Sequence, residues 1–126
     1  MMNVVVVMIG GFLGAIFRYL VGEWLPTSHG FPTGTLLVNV IGCLLLGWLL
    51  SFIANQTNVN PKVALFLSTG IIGSFTTFST FSIEVIHLVD EGKFGFAIIY
   101  VSVSILGGLL LSYCGNRLAN IRTRVK

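Results

Sequence analysis

Four long apolar runs occupy most of this chain, and they set the strongest limit on what it can fold into. Each run is long enough to cross a hydrocarbon core of about 30 Å as a helix, which rises about 1.5 Å per residue. Only 9% of the 126 residues are charged, whereas a soluble domain carries about 25%. The sequence therefore predicts an all-α membrane protein, a single domain over residues 1–126 with spans at about 3–24, 34–54, 62–89 and 94–118.

The third apolar run contains a polar stretch at its centre, which begins at Gly70 and ends at Ser82. Ser and Thr compete for backbone hydrogen bonds and are poor residues for the interior of a lipid-facing helix. Non-helical backbone at membrane depth is tolerated only where protein buries it or water lines it. The stretch predicts a third helix that is broken at its centre, with carbonyls and hydroxyls freed to bind an ion. Its six hydroxyl residues are Ser74, Thr76, Thr77, Ser79, Thr80 and Ser82.

Polar residues in the other runs each have two interpretations. Arg18 either snorkels to the lipid headgroups or is a buried charge that raises the local potential for an anion. Asn39, as a lone Asn in a membrane helix, more often joins helices than contacts a ligand. Tyr100 and Ser104 belong to a stripe that either packs a helix or forms a hydroxyl-lined wall facing the third span. Because the third span contains a hydroxyl-rich break, we favour the hydroxyl-lined wall.

Several other classes of function lack the residues that they need. Cys43 and Cys114 lie inside apolar runs and are interpreted as packing residues, because a metal site needs more ligands at close spacing. Glu84 and His87 share a helix face, but two ligands make no metal site, and we interpret them as an interfacial polar end. An enzyme would need a nucleophile–base or metal cluster. His29 lies in a loop and His87 at a helix end, without such partners, so no enzyme activity is predicted.

The basic residues near the end of the chain indicate a membrane surface and not a nucleic acid. No basic patch with interleaved aromatic residues is present, and basic residues beside a membrane helix usually mark its cytoplasmic end and attract anionic lipid. The sequence also contains no internal repeat. Transporters often place two inverted halves around a midplane site. A four-span chain reaches that symmetry if two copies pair antiparallel about a two-fold axis in the membrane plane.

Three segments together resemble the Fluc (CrcB) family of fluoride channels. They are Gly10-Gly-Phe-Leu-Gly-Ala-Ile-Phe-Arg-Tyr19, Gly34-Thr-Leu-Leu-Val-Asn-Val-Ile-Gly42 and Gly73-Ser-Phe-Thr-Thr-Phe-Ser-Thr-Phe-Ser82. The resemblance covers essentially the whole chain, and its Thr-Phe-Ser-Thr-Phe-Ser signal is highly specific. It implies a multi-pass channel of the bacterial inner membrane that exports cytoplasmic fluoride down its electrochemical gradient. It also implies an antiparallel, dual-topology homodimer with two fluoride pores.

The resemblance further implies roles for particular residues. Phe78 and Phe81 match the paired phenylalanines that line the family's pores. The polar positions of the pore match Asn39 on the second helix, Thr80 on the broken helix, and Tyr100 and Ser104 on the fourth helix.

The resemblance also implies a sodium site and a residue at the pore entrance. The backbone carbonyls of Gly73 and Thr76, from both subunits, match a central structural sodium site, and Arg18 matches an arginine near the pore entrance. The family can carry a further serine where this chain has Gly108, so that position is left out of the expected site.

The residue types suit the chemistry of fluoride, which is small and strongly hydrated. A pore must replace its water with amide and hydroxyl donors, and the electropositive edges of phenylalanine rings can add weak contacts. A fixed cation at the midplane would hold fluoride too tightly, because conduction needs weak binding at several sites. Carbonyls at a broken-helix crossing suit a hard cation such as sodium.

The sequence leaves two alternatives to a channel open. A small four-helix drug/proton antiporter needs a carboxylate at the midplane of its first span, and this chain has only Glu23, at the end of that span. A non-conducting membrane assembly subunit would use the hydroxyls only to join helices. The basic residues also favour the side of the 55–61 loop, with Lys93 and Arg18 toward the other side. A dual-topology protein should have little such bias, so the insertion ratio stays open.

Overall fold

The computed structural model describes residues 2–25 and 30–124, and for 122–124 it describes the backbone alone. The loop containing His29 lies outside the described residues. The described part is helical apart from its connections, and it contains four helices that are long and apolar enough to cross a membrane. The all-α prediction with four spans is therefore confirmed. The helices are α1 (Met2–Trp24), α2 (Thr33–Ala54), α3 (Pro61–Leu65), a π-helix (Phe66–Ile72), α4 (Gly73–Phe75), α5 (Ser79–Asp90) and α6 (Phe94–Arg124).

The third span runs over Pro61–Asp90 and is interrupted at residues 76–78. Asn60 caps its start, because the Asn60 side chain accepts a hydrogen bond from the Lys62 N–H at 2.9 Å. Thr76 then leaves the helix with extended backbone angles, φ −74° and ψ 156°, and the helix resumes at Ser79. The predicted central break is confirmed. The π-helix just before it was not expected from the sequence, although such wide turns are frequent at functional sites.

Two glycines on α1 bring its backbone against the first half of the third span. A Cβ atom on Gly10 would lie 2.6 Å from the Phe66 carbonyl oxygen, and one on Gly14 would overlap the Ile71 carbonyl oxygen. Close approach of this kind needs small residues in the contact. The glycines therefore allow α1 to pack directly on the backbone of the π-helix.

The second and fourth spans form the other half of the bundle. α2 packs along α6, and at the end of the bundle near residues 55–60 the Asn55 amide donates to Asn120 Oδ1 at 2.7 Å. The opposite end, with the connections 30–32 and 91–93, is called the turn end below. There Tyr100, Leu88 and Ala97 form a buried cluster, and the Phe31 ring packs edge-on against Tyr100 at 5.5 Å.

Candidate functional site

The break in the third span is joined to α2 by a pair of hydrogen bonds from one side chain. Asn39 Oδ1 accepts from the Thr77 N–H at 2.8 Å, and Asn39 Nδ2 donates to the Thr77 carbonyl at 2.9 Å. Thr77 is only 8% exposed, so its polar backbone groups would be costly to leave unpaired. Asn39 therefore supplies the pairing that a continuous helix would otherwise supply.

The hydroxyls of the polar stretch have different partners. Thr77 Oγ1 accepts from the Thr80 N–H at 3.2 Å and so satisfies a donor in the first turn of α5. It also donates to Thr80 Oγ1 at 3.0 Å, which leaves the Thr80 hydroxyl its own proton. Thr76 and Ser82 instead donate to carbonyls four residues earlier, those of Ile72 and Phe78. Residue type alone could not have separated these roles, since all four residues carry the same functional group.

The two carbonyls predicted as sodium ligands lie where the helical hydrogen-bond pattern is interrupted. In a continuous helix the Thr77 N–H would donate to the Gly73 carbonyl, and the Thr80 N–H to the Thr76 carbonyl. Here these donors bind Asn39 Oδ1 and Thr77 Oγ1. Gly73 is exposed and Thr76 is half-buried in the single chain. The break thus directs both N–H groups to side chains and away from these carbonyls.

A cavity of about 330 Å³ lies between α2, the break and α6, and we call it the phenylalanine cavity. Ser104 Oγ is buried beside it and has no hydrogen-bond partner among the described residues. Phe78 is 80% exposed in the single chain, and its ring centre lies 5.9 Å from that of Phe81. The predicted site residues that line this cavity are Asn39, Phe78, Phe81 and Ser104.

A second cavity, of about 350 Å³, lies on the α1 side of the break, and we call it the arginine cavity. Arg18 and Thr80, both predicted site residues, line it together with Thr35. Arg18 is half-buried. Thr77 lines both this cavity and the phenylalanine cavity, so the break forms the wall between them.

Tyr100 is fully buried and is connected to a carboxylate. Its hydroxyl donates to Glu84 Oε2 at 2.7 Å, while Thr35 Oγ1 donates to Glu84 Oε1 at 2.8 Å. Glu84, which lies on α5, therefore connects this helix to α2 and α6. Its spacing to His87 had predicted only a polar residue at the interfacial end of the span. The signal that could have found it is its position before the end of the span, because an ionisable group at membrane depth needs partners.

Aromatic rings connect the phenylalanine cavity to this carboxylate. The Phe81 ring lies between those of Phe78 and Tyr100, with centre-to-centre distances of 5.9 Å and 5.0 Å. The three rings and the Glu84 carboxylate thus form a continuous row between α5 and α6, which we call the aromatic row.

Comparison with known proteins identifies relatives over nearly the whole chain. Residues 5–116 match the family described as CrcB-like protein, Camphor Resistance (CrcB). The chain is 52% identical over 119 residues to the fluoride-specific ion channel FluC of Oceanobacillus iheyensis, covering 94% of this chain and 92% of the relative. It is 45% identical over 111 residues to the FluC of Methanocaldococcus jannaschii, covering 88% and 89%. For the FluC of Agrobacterium fabrum the identity is 39% over 117 residues, covering 91% and 94%.

Proposed function

The chain belongs to the CrcB family, and from that premise we propose that it is a fluoride-selective channel whose two pores are built by an antiparallel pair of copies. Relatives named as fluoride-specific ion channels align with nearly the whole chain, which favours the channel over the antiporter and the assembly subunit. The observation that carries the proposal is the buried Ser104 hydroxyl beside the rings of Phe78 and Phe81, for which the described part of the chain provides no hydrogen-bond partner.

The phenylalanine cavity offers what a desolvated fluoride ion needs. Ser104 has a hydroxyl proton to donate, and the rings of Phe78 and Phe81 have electropositive edges. The residues that line this cavity in the described part of the chain carry no charge. Binding there is therefore weak enough for the ion to leave, as conduction requires.

Asn39 and Tyr100 contribute to fluoride binding less directly than their residue types suggest. Asn39 uses one amide proton on the Thr77 carbonyl and has one more to offer toward the phenylalanine cavity. Tyr100 has a single O–H, which donates to Glu84, so contact with fluoride there requires that this bond be exchanged. In the arginine cavity, Arg18 raises the local anion concentration and Thr80 offers its hydroxyl proton.

A second copy completes the site in this proposal. Phe78 is 80% exposed and Gly73 is exposed in the single chain, so both are open to a partner. A two-fold axis in the membrane plane near these residues would bring the Gly73 and Thr76 carbonyls of both copies together. Such a set of oxygens suits a sodium ion, whose charge would favour anions and hold the dimer together. Dimers that form and conduct equally well without sodium would contradict this part of the proposal.

Fluoride efflux from liposomes tests the function. Purified protein is reconstituted, fluoride loss is followed with a fluoride electrode, and chloride loss is the control for selectivity. Phe78→Ile is compared with Phe12→Ile, the same change at an exposed position of α1 outside the described cavities. We expect rapid fluoride loss, little chloride loss, slowing by Phe78→Ile and no effect of Phe12→Ile. No fluoride loss from well-folded protein would favour the antiporter or the assembly subunit.

Insertion in the bacterial inner membrane in both orientations is a separate part of the proposal. A reporter at the C-terminus whose signal depends on the compartment would measure the ratio. Signal from both sides agrees with dual topology, whereas signal from one side only argues against an antiparallel pair of identical chains. The Lys/Arg bias makes this measurement necessary.

A further inference from the structure

A third cavity, of about 240 Å³, opens at the turn end between the connection 30–32, the last turns of α5 and the α5–α6 turn. We call it the turn cavity. It is lined by more ionisable groups than either of the other two cavities. Those groups are Glu84, His87, Glu91 and Lys93, beside Gly30, Pro32 and Leu88.

The turn cavity adjoins the aromatic row. Glu84 lines the cavity, and its carboxylate also accepts the hydrogen bond of the buried Tyr100. The row therefore continues from the phenylalanine cavity, through Phe81 and Tyr100, to a cavity at the edge of the bundle. An anion that follows this row meets the Glu84 carboxylate, which repels it. A route past this residue needs compensating positive charge.

Lys93 is held where it can supply that charge. Its ammonium group forms an ion pair with Glu91 at 2.8 Å, and its backbone N–H donates to the Leu88 carbonyl at 2.8 Å. Across the cavity, a Cβ atom on Gly30 would lie 2.6 Å from Lys93 Nζ. Gly30 also has a φ of +82°, which L side chains rarely adopt. A residue other than glycine would therefore strain the connection and displace the ammonium group.

We propose that the turn cavity is one mouth of the fluoride route and that Lys93 raises the local fluoride concentration in it. This inference rests on the proposed function, since a mouth has meaning only for a conducting channel. Among Glu84, Glu91 and Lys93, loss of the lysine leaves two carboxylates without a cation. One unit charge several ångströms from an ion in water changes the ion's local concentration by about two- to fourfold.

The test compares initial fluoride efflux rates at low fluoride in vesicles of neutral lipid. Lys93→Gln removes the charge and keeps much of the side chain, and Lys93→Arg restores a charge. Lys62→Gln is the matched control, the same change at a lysine that lines none of the three cavities. At about 20 mM salt we expect a roughly two- to fourfold lower rate for Lys93→Gln, with Lys93→Arg and Lys62→Gln near wild type. At about 1 M salt, where the Debye length is about 3 Å, the difference should vanish.

The possible results separate the inference from the function. If the wild type passes no fluoride, the proposed function fails. If the wild type conducts but Lys93→Gln matches Lys62→Gln at low salt, the inference fails alone. Equal slowing at both salt concentrations would indicate altered packing and would also overturn it. Glu91→Gln provides a second test should Lys93→Gln fold poorly: freeing the ammonium group should raise the low-salt rate about two- to fourfold, and an unchanged or lower rate would contradict the proposal.

Discussion

Replacing Asn39 by alanine should release the break in the third span. The change removes the acceptor of the Thr77 N–H and one donor to the Thr77 carbonyl. Because Thr77 is 8% exposed, water reaches these groups poorly. We expect both stability and fluoride conduction to fall, since Asn39 positions the break as well as lining the phenylalanine cavity.

The size of the effect follows from what each lost bond leaves behind. A buried N–H without an acceptor costs about 1–3 kcal/mol. A side-chain hydrogen bond within a membrane bundle averages about 0.6 kcal/mol, which applies to the donor lost by the carbonyl. Together these two losses should lower the free energy of unfolding by roughly 2–4 kcal/mol. A loss of about 2 kcal/mol corresponds to roughly 30-fold faster exchange of the Thr77 amide, if exchange follows opening of this bond.

Two assays read the effect independently of conduction. Equilibrium unfolding in mixed micelles with rising detergent denaturant gives the change in stability, and hydrogen–deuterium exchange over residues 75–79 reports the Thr77 amide. Asn39→Asp separates the two roles of this residue at the Thr77 N–H, because a carboxylate still accepts that hydrogen bond but repels fluoride and cannot donate to the Thr77 carbonyl. That variant should keep slow exchange at Thr77 and lose conduction.

Asn55→Ala is the matched control, since its hydrogen bond to Asn120 is exposed at the edge of the bundle. It should change stability by less than about 1 kcal/mol. The reasoning is refuted if Asn39→Ala leaves both stability and Thr77 exchange unchanged while conduction falls. Asn39 would then act as a fluoride contact alone.

Three further predictions concern the packing of α1, the Ser104 hydroxyl and the ion pair of Glu91 and Lys93. Gly14→Ala should destabilise the protein by about 1–3 kcal/mol in the same unfolding assay, because a Cβ atom there would overlap the Ile71 carbonyl oxygen. Gly22→Ala is the control, since a Cβ atom there meets no atom within 4 Å and stability should not change. Equal losses of stability in the two variants would contradict this prediction. Ser104→Ala should slow fluoride efflux without loss of stability, since the buried Ser104 hydroxyl has no partner among the described residues. A less stable variant would instead indicate that this hydroxyl joins α6 to a neighbouring helix. The hydrogen bond from Lys93 holds the Glu91 pKa below its ordinary 4.5, so the pair favours folding above that pH and ceases to as the pH falls through the lowered pKa. Carboxyl-carbon NMR should find the Glu91 pKa raised in Lys93→Gln, and an unchanged pKa would argue against the pair.

The position of the break could be predicted from the sequence, but its hydrogen bonds could not. Hydroxyl residues beside Gly73 indicate where a helix weakens, because their competition for backbone hydrogen bonds is local. The chain leaves the helix at Thr76, within the predicted stretch. These hydroxyls have different partners in the structure. The Thr77 hydroxyl accepts from the Thr80 N–H at the start of α5, whereas the Ser82 hydroxyl donates to the Phe78 carbonyl four residues earlier. That division depends on what lies opposite each residue, which composition does not contain.

The hydrogen-bond partners of Asn39 and Glu84 could not be predicted from the sequence either. The sequence left Asn39 between a helix-joining role and a ligand role, and the structure places its amide on the backbone of the break. Glu84 was interpreted as a polar helix end, but it accepts hydrogen bonds from Thr35 on α2 and Tyr100 on α6. Each of these contacts joins separate spans, so no periodicity within one helix could reveal it.

The sequence alone determined that this chain is helical, that it has four spans, that the third is broken and that it resembles a fluoride channel family. These properties follow from apolar length, from local competition for hydrogen bonds and from a specific motif, all of which lie within short stretches. The tertiary structure decided which donors are already paired and which face a cavity. The hydrogen bonds concerned join residues that lie 16 to 49 positions apart in the sequence. They depend on the way the helices pack, because a hydrogen bond has directional requirements that only the assembled bundle meets.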